Sequence, residues 1–320
     1  MLDKPITIKP IPTPKENVHP DNKHSILPKH EFTIGLIAPK GAGKTTIIIN
    51  MLEFYSGYFH EIQVFSPTVV SDDKWHYAKK LKLKTKNIPL ENVLKKLKAK
   101  KDKNLSKTSL VDRPKVDDTV IENMLDKMKD FIPEIGDDNF YDIYDDSIFE
   151  QLLDDQHKMI TFLEGNGYSK YLANRVLYIF DDLVCSPLYG SSFFKGYNTR
   201  HRHYSSSVFM VSQGYKEIPK TVRTQFSSLI LSYIGNDQEV EAIYKEFGMG
   251  LRYREWLEVY NYCVNEPHSF MYFNMQKPVG SRIMKNFEEI VTYNQEPVRE
   301  EDSEYGIVID KDQKRRKIKK

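Results

Sequence analysis

Nine residues, Ala38-Pro39-Lys40-Gly41-Ala42-Gly43-Lys44-Thr45-Thr46, have the composition of a loop that cradles phosphate. Small residues let successive backbone N–H groups turn inward onto oxygens. A helix starting directly afterwards adds an N-terminal dipole that favours an anion. Lys44 supplies a cation able to reach β- and γ-phosphates, and Thr45 a hydroxyl suited to holding Mg2+. Ala38 stands where such loops usually carry their first glycine, and the turn still receives a small residue. An apolar run precedes the loop and an amphipathic segment follows it, which separates it from an ordinary Gly-rich turn.

A second chemical element is the acid pair Asp181-Asp182 at the end of the apolar run Leu177-Tyr178-Ile179-Phe180. Alone, such a pair only opens a surface loop. Behind a phosphate loop, Asp181 suits a magnesium shell and Asp182 suits polarising the attacking water as general base. Asp182 is one methylene shorter than the glutamate of many such sites. Gln213, where the next core strand ends, can bond a γ-phosphate or lytic water, or it is a solvent-facing glutamine. An acid pair on one strand and a polar tip on its successor predict an extra strand between loop strand and acid strand. Arg200, Arg202 and Arg223 lie nearby in sequence and suit a finger reaching a neighbouring subunit's γ-phosphate, or a surface or DNA contact. His201 and His203 have no partners at metal-ligand spacing and read as loop histidines.

These residues need a frame. Glu31–Ile37 reads as a buried strand, Thr45–Tyr55 as a helix with an Ile47, Ile48, Met51, Leu52, Tyr55 face, and Glu61–Ser66 as the next strand. Further strands are expected at Arg175–Phe180, Ser207–Ser212, Ser228–Tyr233 and Ser269–Phe273. Apolar spacing from Ile148 to Leu163 predicts a helix, as do Gln238–Phe247 and Arg252–Tyr260. Strands alternating with helices predict an α/β fold with a mainly parallel central sheet flanked by helices. Residues 1–30 read as a Pro-rich arm, 31–295 as the nucleotide-binding domain with a charged insertion at about 75–150, and 296–320 as a flexible tail with a basic end.

The chain has 320 residues, 40% of them hydrophobic, 29% charged, with a mean hydropathy of −0.56. That suffices for one elaborated domain with a core. No apolar run is long enough for a membrane-spanning helix, and the N-terminus lacks the layout of a secretion signal. Two cysteines are too few for a disulfide framework or a cysteine zinc site. The net charge of +2 conceals sorting into blocks. Residues 79–116 hold fourteen Lys or Arg against three acids, and 117–156 hold fourteen acids against Lys127 and Lys129. The block reads as a solvated insertion whose halves partly neutralise each other, or as a DNA-facing basic element masked by an acidic one.

Together, the loop Ala38–Thr46, the strand Leu177–Asp182, the Arg200-His201-Arg202-His203 stretch before Gln213, and Ile218-Pro219-Lys220-Thr221-Val222-Arg223 resemble the FtsK–HerA-type genome-packaging ATPases. That group serves large eukaryotic DNA viruses, poxviruses among them, as well as virophages and Polinton-like elements. The resemblance covers about residues 31–70 and 150–290. It implies a P-loop NTPase of the additional-strand, RecA-like type. It further implies ATP and Mg2+ as cofactors, a homo-oligomeric ring of five or six subunits, and translocation of double-stranded DNA into a capsid. Capsid or portal vertex proteins are the implied partners, with no membrane. The implied location is the host cell cytoplasm or viral factory, or the virion. By carry-over Ala38–Thr46 bind nucleotide, Thr45 and Asp181 hold the metal, Asp182 activates water and Gln213 senses it. Arg223, with Arg200 or Arg202 as competitors, is the trans-acting finger. The rival readings are another DNA translocase or helicase of a mobile element, a P-loop nucleotide kinase, and a nucleotide-gated scaffold.

Overall fold

The computed structural model describes residues 19–81, 83–105, 122–124, 139–248, 250–292, 295–296 and 308–309. The C-terminal basic tail and much of the charged block therefore lie outside the described residues. A nine-stranded sheet in the order β3-β2-β4-β5-β1-β6-β7-β8-β9 forms the frame. Its strands are β1 Thr33–Ile37, β2 Glu61–Phe65, β3 Phe140–Tyr141, β4 Val176–Asp181, β5 Ser206–Ser212, β6 Ser228–Leu231, β7 Met271–Asn274, β8 Ile283–Lys285 and β9 Glu289–Ile290. The six from β3 to β6 run parallel, and β7 to β9 add an antiparallel meander.

The middle strands are nearly continuous apolar runs because both sheet faces are covered. Alternation still sorts their side chains. Leu177 and Ile179 face one layer, with Ile34, Leu36, Phe209 and Val211. That layer is closed by helix α1 (Lys44–Phe54) through Ile47, Ile48, Met51 and Leu52, and by α2 (Asp73–Lys79) through Trp75 and Ala78. Val176, Tyr178 and Phe180 face the other layer, with Val208, Met210, Leu229 and Leu231. There α4 (Asp146–Gly165) supplies Phe149 and Leu153, and α5 (Ser192–Arg200) supplies Phe194 and Tyr197. Behind the short α6 (Lys220–Arg223), α7 (Asp237–Phe247) and α8 (Tyr253–Cys263) add Val240, Ile243, Trp256 and Tyr260.

Two expectations change. The charged block is not wholly a solvated excursion. Helix α3 (Ile88–Leu105) buries Leu90 and Leu94 against Ile160 and Leu163 of α4, and β3 extends the sheet beside β2. A few apolar residues at helical spacing anchor an otherwise cationic segment, and the abundance of lysine hides them. Nor is the expected arm free along its whole length. Leu27 is buried in the α1 layer, Tyr55 donates to the Pro28 carbonyl at 2.8 Å, and Tyr272 and Asn274 donate to Ile26 at 3.1 and 2.9 Å. Polar side chains of the core reach out to satisfy a proline-interrupted backbone that cannot pair as a strand. Residues 1–18 lie outside the described residues. Where the expected tail begins, Gln295–Glu296 pairs antiparallel with Val308–Ile309.

β1 shows how tightly the frame is packed. A Cβ on Gly35 would lie 2.4 Å from the Phe226 ring. Gly35→Ala should therefore lower stability by about 1–3 kcal/mol through overpacking. Denaturant unfolding measures this, and Phe226→Leu in the same chain should recover part of the loss.

Candidate functional site

Parallel register brings the chemical residues to one edge. Ile37 lies opposite Ser212 and Asp181 opposite Val211, so β1, β5 and β4 end together. β5 lies between the other two. Its last carbonyls accept on both sides: Ala38 N–H donates to Ser212 O at 3.1 Å, and Asp182 N–H donates to Val211 O at 3.1 Å.

From that tie the chain turns through Gly41 (φ 83°) and Gly43 (φ 92°), both left-handed, which only glycine adopts without strain. Gly43 is the N-cap of α1, and no side chain caps the helix there. Its first-turn N–H groups are left for a ligand, and no acid in the first turn opposes an anion. Lys44 donates back to the Ala38 carbonyl at 3.2 Å, across the mouth of the loop. Pro39, Lys40 and Thr46 are exposed on its outer surface, and Ala42 N–H donates to Pro39 O at 3.2 Å.

Thr45 donates to Asp72 Oδ2 at 3.4 Å. Asp72 also caps α2, accepting from Lys74 N–H at 2.9 Å. Sequence reasoning missed this residue, although an Asp-Asp pair opening a short helix just after a strand was a legible cap signal. Across from it Asp181 is buried, and its Oδ2 accepts from Ser66 Oγ at 3.0 Å. Burial pushes the Asp181 carboxyl up to about 6, the Ser66 bond opposes the shift, and the neighbouring Asp182 charge adds to it.

Asp182 holds a left-handed backbone (φ 54°), a conformation a short polar side chain tolerates better than most. Its Oδ2 accepts from Gln213 Nε2 at 2.7 Å, so acid pair and polar tip meet across adjacent strands.

The donor set fits a nucleotide with a hard cation. Asp181, a buried carboxylate with one hydroxyl partner, feels the Lys44 charge against those of Asp182 and Asp72, and the Thr45 hydroxyl and Asp181 offer oxygen ligands. Among the described residues no group of three His, Cys, Asp or Glu could hold a metal unaided. Mg2+ bound through one carboxylate, a hydroxyl and phosphate oxygens needs no such group.

The arginines lie elsewhere. Arg200 and Arg202 are exposed at the opposite edge, where α5 and a 3-10 turn lead into the start of β5. Arg200 Nε donates to Gly196 O at 3.1 Å. Arg223 is turned inward, paired with Glu246 at 2.9 Å, donating to Ile218 O at 2.8 Å and stacked over Tyr215 at 4.6 Å. It is engaged within its own chain and not displayed as a projecting finger. His201 is buried, its ring nitrogens 3.0 and 3.2 Å from the Asn198 and Glu31 carbonyl oxygens, and burial lowers its pKa. His203 is exposed. Among the described residues no helix is long and apolar enough to cross a membrane.

No protein-family model and no curated protein matches the chain. Among solved structures, it is similar to the genome packaging NTPase B204 from Sulfolobus turreted icosahedral virus 2 in complex with AMPPCP, at 13% identity and TM-score 0.42, over 79% of this chain and 96% of that one. B204, the DNA-packaging ATPase from Sulfolobus turreted icosahedral virus, gives 10% identity and TM-score 0.41 over 79% and 96%. The N-terminal domain of zonular occludens toxin from Neisseria meningitidis gives 13% and 0.32 over 87% and 100%.

The raised Asp181 pKa has a measurable sign. Between pH 3.8 and about 6 the folded chain keeps a proton that the unfolded chain has lost, so stability falls as pH rises through that window. In EDTA, Asp181→Asn should be more stable than the parent above pH 6 by on the order of 2–3 kcal/mol. The gap should close below pH 4. Thermal unfolding across pH checks this, and a gap that does not vary with pH would contradict it.

Proposed function

We propose that this chain is a Mg2+-dependent ATPase of the additional-strand P-loop type that drives double-stranded DNA into a viral capsid. The observation that carries the hydrolytic part is the meeting of the loop Ala38–Thr46, Asp181, Asp182 and Gln213 at one sheet edge, with β5 between the loop strand and the acid strand. Bound Mg2+ would neutralise phosphate charge and orient the triphosphate. Around it the chain's own residues divide the work. Uncapped N–H groups of α1 cradle the phosphates, and Lys44 exchanges the Ala38 carbonyl for a β- or γ-phosphate oxygen. Thr45 and Asp181 would hold the metal. Asp182 accepts a proton from the attacking water, and Gln213, already bonded to Asp182, positions that water and transmits its loss.

DNA as the moved substrate is supported by charge. The Lys-rich segment 79–116 and the C-terminal basic tail supply sequence-independent phosphate contacts. Within the described part, Lys98 pairs with Glu122 of the acidic half at 3.3 Å, so some of that charge is answered inside the chain. Work on DNA in this reading takes place in a homo-oligomeric ring of five or six subunits docked on capsid or portal proteins. Arg200 or Arg202, the exposed pair, is the better-placed finger for a neighbouring site, because Arg223 is bound to Glu246.

Lys44→Ala should abolish ATP binding and turnover together. Asp182→Asn should keep ATP binding while turnover falls by about 100-fold or more. Calorimetry and phosphate release measure the two, and a normally active Asp182→Asn chain would place the base elsewhere. Duplex DNA should raise turnover of the parent chain, and light scattering with ATP should give a ring-sized mass. A monomer indifferent to DNA would favour the kinase reading. Mixing Arg202→Ala or Arg200→Ala subunits with Lys44→Ala subunits should restore part of the activity if the finger acts in trans; no recovery at any ratio would remove both from that role.

A further inference from the structure

The nucleotide site has a second flank that none of these roles uses. The loop Ala38–Thr46 follows β1, and β1 has β5 on one side and β6 on the other. Asp182 and Gln213 occupy the β5 and β4 side. A triphosphate lying in the loop with its γ end toward them must send its other end toward β6 and β7.

Two exposed aromatic side chains stand on that flank. β6 is anchored to the loop strand by Ser232 N–H donating to Ile37 O at 3.0 Å, one residue before the loop begins. The next residue, Tyr233, is 62% exposed. Its outward direction is built in, because the Tyr260 hydroxyl bonds both sides of it, donating to Ser232 O at 3.0 Å and accepting from Ile234 N–H at 2.7 Å, while Ile234 is buried. β7 pairs antiparallel with β6, Met271 opposite Leu231, so the residues just before β7 lie beside those just after β6. The chain there holds His268 with a left-handed backbone (φ 64°), exposed to solvent. A methyl group added to Gly43 would lie 3.6 Å from His268 Nδ1, so the ring stands directly against the glycine that opens α1. The turn is fixed by Ser269 N–H donating to Glu266 O at 3.1 Å and Phe270 N–H donating to Asn286 Oδ1 at 2.9 Å.

We propose that His268 is the nucleoside-contacting residue of this site, its ring packing on the purine nucleoside of ATP, with Tyr233 as the neighbouring aromatic wall. Histidine is one of the few non-glycine residues that adopt a left-handed backbone readily, and here that turn places an aromatic ring beside Gly43 at the start of α1. Flat π faces stack on bases with little demand on base identity. Positioned this way, His268 contributes to affinity for the nucleoside and not to the grip on phosphate.

The inference rests on the phosphate-loop reading, and one titration separates the two. ATP and inorganic tripolyphosphate are titrated with Mg2+ into the full chain, its His268→Asn and Tyr233→Ala variants, and Lys44→Ala. Asparagine removes the ring and tolerates the left-handed backbone, so thermal unfolding should stay close to the parent. His268→Asn should weaken ATP binding about tenfold and leave tripolyphosphate within about twofold, since the base–ring stack is lost and the phosphate contacts are kept. Tyr233→Ala should act in the same direction by less. ATP affinity unchanged in His268→Asn, or both ligands weakened equally, would overturn the proposal while Lys44→Ala still loses both. Failure of the parent chain to bind either ligand, or binding that survives Lys44→Ala, would overturn the phosphate-loop reading and this inference with it.

Discussion

The site depends on the last two carbonyls of one strand. At the end of β5, Ser212 accepts from Ala38 and Val211 accepts from Asp182, so the first residue of the glycine-rich loop and the second acid of the pair are hydrogen-bonded to the same strand tip. Each such bond is worth about 0.5–1.5 kcal/mol net, modest as stability. Its larger effect is geometric. Loop and acids are far apart in sequence, yet neither can shift along the sheet without breaking a ladder that is buried on both faces. β5 then sends Gln213 onward from the same tip to Asp182, closing a short chain of bonds from loop to acid to amide.

Around that tie the chain leaves charges and dipoles uncompensated in complementary places. The start of α1 has donors with no side-chain cap. Asp181 is a buried carboxylate with a hydroxyl for company and a raised pKa. Lys44 and Thr45 are satisfied only by groups of the chain itself, the Ala38 carbonyl and Asp72, both of which can be exchanged for a ligand's oxygens. A protein optimised for stability alone would cap the helix and bury an asparagine. The local cost is consistent with a site arranged around an anion and a cation that arrive together.

Remote from the edge, the fold turns polar and cationic segments into structure with a small number of apolar contacts. α3 lies on α4 through Leu90 and Leu94, with Val93 and Leu97 packed beside them. The proline-rich approach to β1 is held by tyrosine hydroxyls and one asparagine that serve its carbonyls. Arg223 follows the same logic in reverse. A cation expected at a surface is drawn inward by Glu246, the Tyr215 ring and a carbonyl.

Local sequence alone determined the glycine-rich turn into α1 and the strands Val176–Asp181 and Ser206–Ser212, because glycine conformations, buried apolar runs and a Lys-Thr helix start are local properties. Strand edges were read within a residue or two, and α1 begins at Lys44, one residue earlier than its apolar face suggested. Asp181, Asp182 and Gln213 were legible as strand tips, since position relative to an apolar run is also local. Only the tertiary structure decided the rest. Asp72 enters the site because the loop after β2 folds back against Thr45, and His268 because β7 pairs antiparallel with β6. The inward turn of Arg223 and the burial of His201 likewise depend on partners more than twenty residues away for the one and at Glu31 for the other. No local pattern encodes such meetings. They arise from the order in which strands join the sheet, and that order is set by burial summed over the whole core.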